Sequence, residues 1–410
     1  MISDLKQLRY SKKRIRLAVF FIFLAQGICF ASWASRLPDI KAIFGINNWL
    51  HFGFLMFMIP IGKFLAIPAV GFLFPRVGSK KTVLISILGY TLALFGVGFV
   101  PGITLLSLML LLFGLFWNMT DISLNTQAIE VERIYNKPII ATFHATWSLA
   151  ACLGALIGFV MINLSVVPFH HFSIITAIAL LLILFNYKYL LDPEVLPEKS
   201  RAVESTPVVD QVTAKKWKLR LPEILLIQLG IVWLLALVVE NTMFEWSDVY
   251  FQSVIKAPKS LQVGFLVFMV MMFTGRILTN VAYRKWSKKT VLQVAGILIF
   301  VGFIISSLFI GFSNEVLSKV IINSIGFMFI GLGISCVVPT IYSIVGDKAT
   351  TPVGTALTIM SGISFVGPLI APLLVGAISQ QFGMHYAYFI IGLFGICIVA
   401  ITAFSKTLRK

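Results

Sequence analysis

A few polar side chains interrupt otherwise apolar stretches of this sequence. Asn118, Asp121 and Asn125 are spaced three and four residues apart, which aligns them on one face of a helix. Lys63 and Glu240 each lie inside a long apolar run. A sheltered carboxyl group can exchange a proton with its surroundings, and a nearby cation controls how readily it does so. We therefore predict that Asp121 and Glu240 exchange protons.

Each of these interpretations has a structural alternative. Lys63 could form an ion pair that only supports the fold, and Asp121 could form a hydrogen bond between two helices. Glu245 and Asp248 follow Glu240 closely, and we expect them to be solvated ends of a helix.

A second set of residues combines aromatic rings with groups that form hydrogen bonds. Gln26 and Trp33 share a helix face at a spacing of seven, and His144 lies three residues before Trp147. Such rings can stack on a sugar-like ring while the amides bind its hydroxyls, although packing is the alternative for each. The predicted solute-cavity residues are Gln26, Trp33, Lys63, Asn118, Asn125, His144, Trp147 and Asn241.

The elements that must position these residues are membrane-spanning helices. Of the 410 residues, 59% are hydrophobic and 12% are charged, whereas soluble domains have about a quarter charged residues. The apolar runs are continuous, which predicts helices rather than the alternating strands of a barrel. Twelve runs have about the length that crosses a bilayer. They lie near residues 15–34, 50–74, 82–100, 103–125, 142–163, 172–191, 223–245, 261–283, 290–312, 317–342, 353–379 and 386–405.

The net charge of +17 is a topology signal. Placing both termini in the cytoplasm puts most of the 33 Lys and Arg residues in cytoplasmic segments, as the positive-inside bias requires. We therefore expect a multi-pass membrane protein with both termini in the cytoplasm, which contacts lipids and binds no nucleic acid.

The segment SKKTVL occurs at residues 79–84 and again at residues 287–292. Ser-Lys-Lys could also arise independently in two short basic turns on the cytoplasmic side. The identity of all six residues nevertheless favours duplication of one ancestral unit. The sequence thus predicts an all-α membrane protein of two pseudo-symmetric six-helix bundles, residues 1–191 and 223–410. Residues 192–222 are polar and are predicted to be a cytoplasmic linker.

The segment GFLFPRVGSKK, residues 71–81, resembles the loop motif of the major facilitator superfamily. Pro75 stands where the family motif has an acidic residue, so the resemblance assigns no acidic gate residue to this position. The resemblance implies a cytoplasmic gate formed by Gly71, Arg76, Gly78, Lys80 and Lys81, together with Arg276 and Arg284 in the second half.

Three further segments resemble a bacterial branch of that family near fucose-permease-like and rhizopine-associated permeases. They are ASWASRLPDI at residues 31–40, FHATWSLAACLGA at residues 143–155 and EWSDVY at residues 245–250.

The resemblance implies a secondary transporter in which two halves rock by alternating access to move a small, sugar-like solute. We expect proton symport; a proton-coupled exporter or antiporter and a non-transporting receptor are the alternatives. The sequence contains no phosphate-binding loop of the Gly-x-x-x-x-Gly-Lys-Ser/Thr type, so an ion or solute gradient must supply the energy. We expect a monomer without enzymatic activity, cofactor or metal.

Overall fold

The computed structural model describes residues 9–137, 139–192, 223–311, 314–351 and 353–405. Within these ranges the chain is largely helical and contains no strand. The predicted linker lies outside the described residues except for Asp192.

The first helices in chain order are α1 (Lys12–Ala34), α2 (Leu37–Ile43), α3 (Trp49–Phe99), α4 (Ile103–Tyr135), α5 (Ile140–Asn163) and α6 (Pro168–Asn186). After the linker come α7 (Ile224–Ser253), α8 (Gly264–Ala282), α9 (Lys288–Leu308), α10 (Val316–Lys348), α11 (Val353–Ser364), α12 (Val366–Phe382) and α13 (Met384–Phe404). Short 3₁₀ turns occur at Tyr187–Tyr189, Lys259–Leu261 and Phe309–Gly311.

The helix α3 crosses the membrane twice. At a rise of 1.5 Å per residue its 51 residues would extend about 76 Å, more than twice the thickness of the hydrocarbon core. Gly78 interrupts it with φ 74° and ψ 171°, a backbone conformation that favours glycine. The described residues contain eleven helical segments long and apolar enough to span a bilayer, and dividing α3 at Gly78 confirms twelve spans.

The eleventh predicted span is broken near its middle. The helix α11 ends at Ser364 and α12 begins at Val366. Pro368 has no backbone N–H to donate to the carbonyl four residues earlier, and its ring crowds that carbonyl. That carbonyl belongs to Ser364, so the break follows from the proline.

The chain divides into two compact units. Of the described residues, those within 1–33, 58–157 and 166–219 form the first unit, and those within 34–57, 158–165 and 220–410 form the second. The short segments 34–57 and 158–165 therefore pack with the second unit, although they precede the predicted linker. The two predicted halves are defined by the repeated SKKTVL segment, whereas the two units are defined by which residues contact one another.

Two glycines bring α3 and α4 close together within the first unit. A Cβ atom at Gly62 would lie 2.0 Å from the Leu111 carbonyl oxygen, and one at Gly114 would lie 2.0 Å from the Ile59 carbonyl oxygen. Small residues at such positions allow the backbones of membrane helices to touch. This close approach positions Lys63, which follows Gly62, against the polar face of α4.

Candidate functional site

The first unit collects polar side chains from four helices. Gln26 comes from α1, Lys63 from α3, Asp121 from α4 and His144 from α5. The Asp121 carboxylate lies within hydrogen-bonding reach of the Gln26 amide and within electrostatic range of His144 and Lys63. We call Gln26, Lys63, Asn118, Asp121 and His144 the first-unit polar cluster; the sequence had predicted every member as a site residue.

Lys63 is held at two points in this cluster. Asn118 donates a hydrogen bond from Nδ2 to the Lys63 carbonyl oxygen at 2.7 Å. The Lys63 ammonium nitrogen lies 3.3 Å from the centre of the Trp117 ring, a cation–π contact. The ammonium is thereby directed toward the same face of α4 that carries Asp121.

Gln26 has an unused acceptor. The residue is fully buried, and its Nε2 lies 3.5 Å from the Trp117 carbonyl oxygen. Its Oε1 has no hydrogen-bond partner among the described residues. Because a buried acceptor without a partner costs free energy, such groups commonly indicate a missing water or ligand.

Aromatic rings extend the cluster. Phe30 contacts Trp117 at a centroid distance of 4.8 Å and stacks on Trp147 at 5.4 Å with an interplanar angle of 25°. Trp147 is half-buried and His144 is exposed. Trp33, in contrast, is buried and packs against Phe113 at 6.1 Å, so it belongs to the core.

Two predicted amides use their hydrogen-bond donors within their own helices. Asn125 donates to the Asp121 carbonyl oxygen at 2.8 Å, and Asn241 donates to the Leu237 carbonyl oxygen at 2.8 Å. Both residues are half-buried. Their amide oxygens are the atoms that remain to accept from a solute.

The second unit contains an ion pair between α7 and α8. Arg276 Nη2 lies 3.9 Å from Glu240 Oε1, and the side chains are 29% and 15% exposed. The sequence had assigned Glu240 to proton exchange and Arg276 to the gate. The structure brings these two predicted residues together, and we call them the second-unit ion pair.

The expectation that Glu245 and Asp248 are solvated is wrong, since both are buried. Asp248 Oδ1 accepts a hydrogen bond from the Phe265 backbone N–H at 2.8 Å, in the first turn of α8. A carboxylate at this position satisfies a free N–H group and complements the helix dipole. Asp248 therefore fixes the connection between α7 and α8.

One lysine of each SKKTVL segment is held by an ion pair. Lys80 pairs with Asp192 at 3.0 Å in the first unit, and Lys288 pairs with Asp347 in the second. Each copy of SKKTVL thus uses its first lysine to bind an acidic residue just beyond, or at the end of, another helix of the same unit. Gln127 adds a hydrogen bond from Nε2 to Ser79 Oγ at 2.7 Å.

The other motif residues differ in their surroundings. Arg76 donates to the Phe72 carbonyl oxygen and lies 3.5 Å from the centre of the Phe72 ring. Lys81 and Arg284 are exposed. Gly71 has open space where a Cβ would stand, so packing does not require glycine there.

Sequence reasoning missed Trp117, Phe30 and the acidic partners of the SKKTVL lysines. Trp117 could have been noticed because it adjoins Asn118 on the polar stripe. Asp192 and Asp347 also had a signal, since each follows closely after a long apolar run.

The chain resembles proteins of one transporter family. A family model described as Major Facilitator Superfamily matches residues 138–353. An uncharacterized transporter of Sinorhizobium fredii is 27% identical over 385 residues, which cover 94% of this chain and 96% of that protein. Membrane protein MosC of Rhizobium meliloti is 24% identical over 403 residues, covering 97% and 92%. The crystal structure of a D-xylose-proton symporter matches with a TM-score of 0.76 at 13% identity, covering 97% of this chain and 99% of that one; this likeness shows the fold alone.

Proposed function

Because the chain belongs to the Major Facilitator Superfamily, whose members include its transporter relatives, we propose that it imports a small, sugar-like solute by proton symport. It would do so by alternating access in the bacterial inner membrane, as a monomer with both termini in the cytoplasm. The single observation that carries the proposal is the first-unit polar cluster, which places a carboxylate beside a buried amide oxygen without a partner.

The composition of the cluster favours a neutral solute rich in hydroxyl groups. Lys63 and Asp121 compensate each other's charge, so a neutral solute can enter without adding an unpaired charge to a sheltered site. A hydroxyl group of the solute would donate to Gln26 Oε1, and Trp147 offers a half-buried ring for stacking. D-Xylose, the sugar in the name of the symporter with a similar fold, belongs to this class.

Proton coupling would use one carboxylate in each unit. A proton on Asp121 would remove the charge that faces Lys63 and His144. A proton on Glu240 would weaken its attraction to Arg276. Both events change the charge balance of a sheltered cluster, which is how protonation can bias a conformational equilibrium.

The test is uptake of radiolabelled sugars and polyols into proteoliposomes, with candidates first selected by thermal shift. An inward proton gradient should increase accumulation of the transported solute. Asp121→Asn and Glu240→Gln should abolish the gradient-driven part, whereas the control Glu315→Gln, at an exposed position before α10, should retain it.

Three outcomes would contradict the proposal. Accumulation that ignores the gradient would remove proton coupling. Accumulation driven by an outward gradient would indicate an antiporter or exporter. Saturable binding without any flux would indicate a receptor that retains the fold.

A further inference from the structure

A group of basic and aromatic side chains lies where α1 begins and α6 ends. Arg14 donates from Nη1 to Asn186 Oδ1 at 2.8 Å and from Nη2 to the Phe185 carbonyl oxygen at 2.9 Å. Its guanidinium carbon lies 3.8 Å from the centre of the Tyr189 ring. These contacts hold one positive charge rigidly at the end of a membrane span.

Two further cations surround the same rings. Tyr10 packs edge-on against Tyr189 at a centroid distance of 4.8 Å, and the Arg9 guanidinium lies 5.5 Å from the Tyr10 ring. The Lys188 ammonium lies 5.0 Å from the Tyr189 ring. We call Arg9, Tyr10, Arg14, Lys188 and Tyr189 the basic tyrosine cluster.

Among the described residues, the acid nearest along the chain is Asp192, which pairs with Lys80 at 3.0 Å rather than with one of these cations. Arg9 and Lys188 are exposed, so their charged groups are accessible from outside the protein. The cluster therefore offers three positive charges to an anion.

An exposed apolar surface adjoins the cluster. Leu181, Leu184 and Phe185 are 53%, 71% and 64% exposed, and their spacing of three and four puts them on one face of α6. Because α6 spans the membrane, this face meets lipid chains. Tyrosine beside basic residues is the usual composition at the level of the lipid headgroups.

We propose that the basic tyrosine cluster is a binding site for one anionic phospholipid. The headgroup phosphate would bind Arg9, Arg14 and Lys188, and an acyl chain would lie along Leu181, Leu184 and Phe185. The rigid Arg14 distinguishes this site from a diffuse basic surface, because its position is fixed before the lipid arrives. The occupant lies in the leaflet that faces the predicted cytoplasmic side, where anionic lipid attracts basic side chains.

The test measures retention of phosphatidylglycerol and of phosphatidylcholine by the full-length protein in native mass spectrometry from detergent. The test variant is Arg9→Gln with Lys188→Gln, since both residues are exposed and neither forms the contacts that anchor α1 to α6. The matched control is Lys137→Gln with Lys348→Gln, two exposed lysines elsewhere that carry the same total charge. Thermal unfolding of each variant verifies folding.

The wild-type protein should retain phosphatidylglycerol in preference to phosphatidylcholine. Each basic side chain at a membrane surface contributes roughly fivefold to anionic lipid binding, so the test variant should lose roughly 25-fold. The control should keep the wild-type preference. Equal losses in test and control variants would show that only overall charge matters, and equal retention of both lipids by the wild type would show that no anionic site exists. Lys188→Gln alone, with an expected roughly fivefold loss, gives the same decision if the double variant does not fold.

Discussion

The second-unit ion pair yields a prediction whose size follows from its geometry. Glu240 and Arg276 are 3.9 Å apart. At an effective dielectric constant of 20, two unit charges at this separation attract by about 4 kcal/mol. Desolvation and partial exposure offset much of that attraction, which leaves a coupling free energy of about 1 to 2 kcal/mol.

A double-mutant cycle with Glu240→Gln, Arg276→Gln and the combined variant isolates this coupling. Either single variant removes one charge of this pair, whereas the combined variant removes both. The losses of unfolding free energy in the two single variants should therefore sum to more than the loss in the combined variant, and the difference is the coupling free energy. Unfolding would be followed by circular dichroism in mixed micelles of increasing dodecyl sulfate content. Effects of the two single variants that add to within about 0.5 kcal/mol would refute the pairing.

Two further predictions concern the packing of a glycine and the hydrogen bonds of a carboxylate. Gly114→Ala should lower the unfolding midpoint because its Cβ would lie 2.0 Å from the Ile59 carbonyl oxygen, whereas Gly346→Ala, with open space, should not. Hydrogen bonds from Thr350 and Thr351 lower the pKa of Glu223 to about 2, so this carboxylate stabilises the fold above its unfolded pKa. That contribution should disappear as the pH falls from about 4.5 toward 2. The thermal midpoint should therefore fall more steeply with decreasing pH in the wild type than in Glu223→Gln. Identical slopes of midpoint against pH would contradict a stabilising role for these hydrogen bonds.

The sequence predicted the spans because a bilayer imposes a length and a composition that a single chain displays directly. It also predicted the polar stripe of α4, since Asn118 and Asp121 are related by helical spacing alone. The turn between the second and third spans was predicted too, and Gly78 is the residue that makes it.

Contacts between distant segments could not be predicted in the same way. Whether Glu240 faces Arg276, or Trp33 faces the core, depends on how each helix is rotated about its axis. Continuous apolar runs leave that rotation undefined, because nearly every face is apolar. Asp248 was misread for a related reason: its partner is the backbone at the start of α8, which has no side-chain signature in the sequence.

The repeated SKKTVL segments take on a structural meaning from their partners. Lys80 with Asp192 and Lys288 with Asp347 are contacts within single units, and each ties the start of one span to the end of another. The turn at Gly78 is thus held by the Lys80–Asp192 ion pair, although Pro75 replaces the acidic residue of the family motif. We propose that these turns stiffen each unit, while the gating role implied by the family motif stays a prediction.

Proton movement measured together with solute movement tests the central claim most directly. Proteoliposomes containing a pH-sensitive dye in weak buffer would be given the solute identified by uptake, without an imposed gradient. Solute entry through the wild type should acidify the lumen, and Asp121→Asn should abolish that acidification while Glu315→Gln preserves it. Solute entry through the wild type with no change in luminal pH would contradict the account.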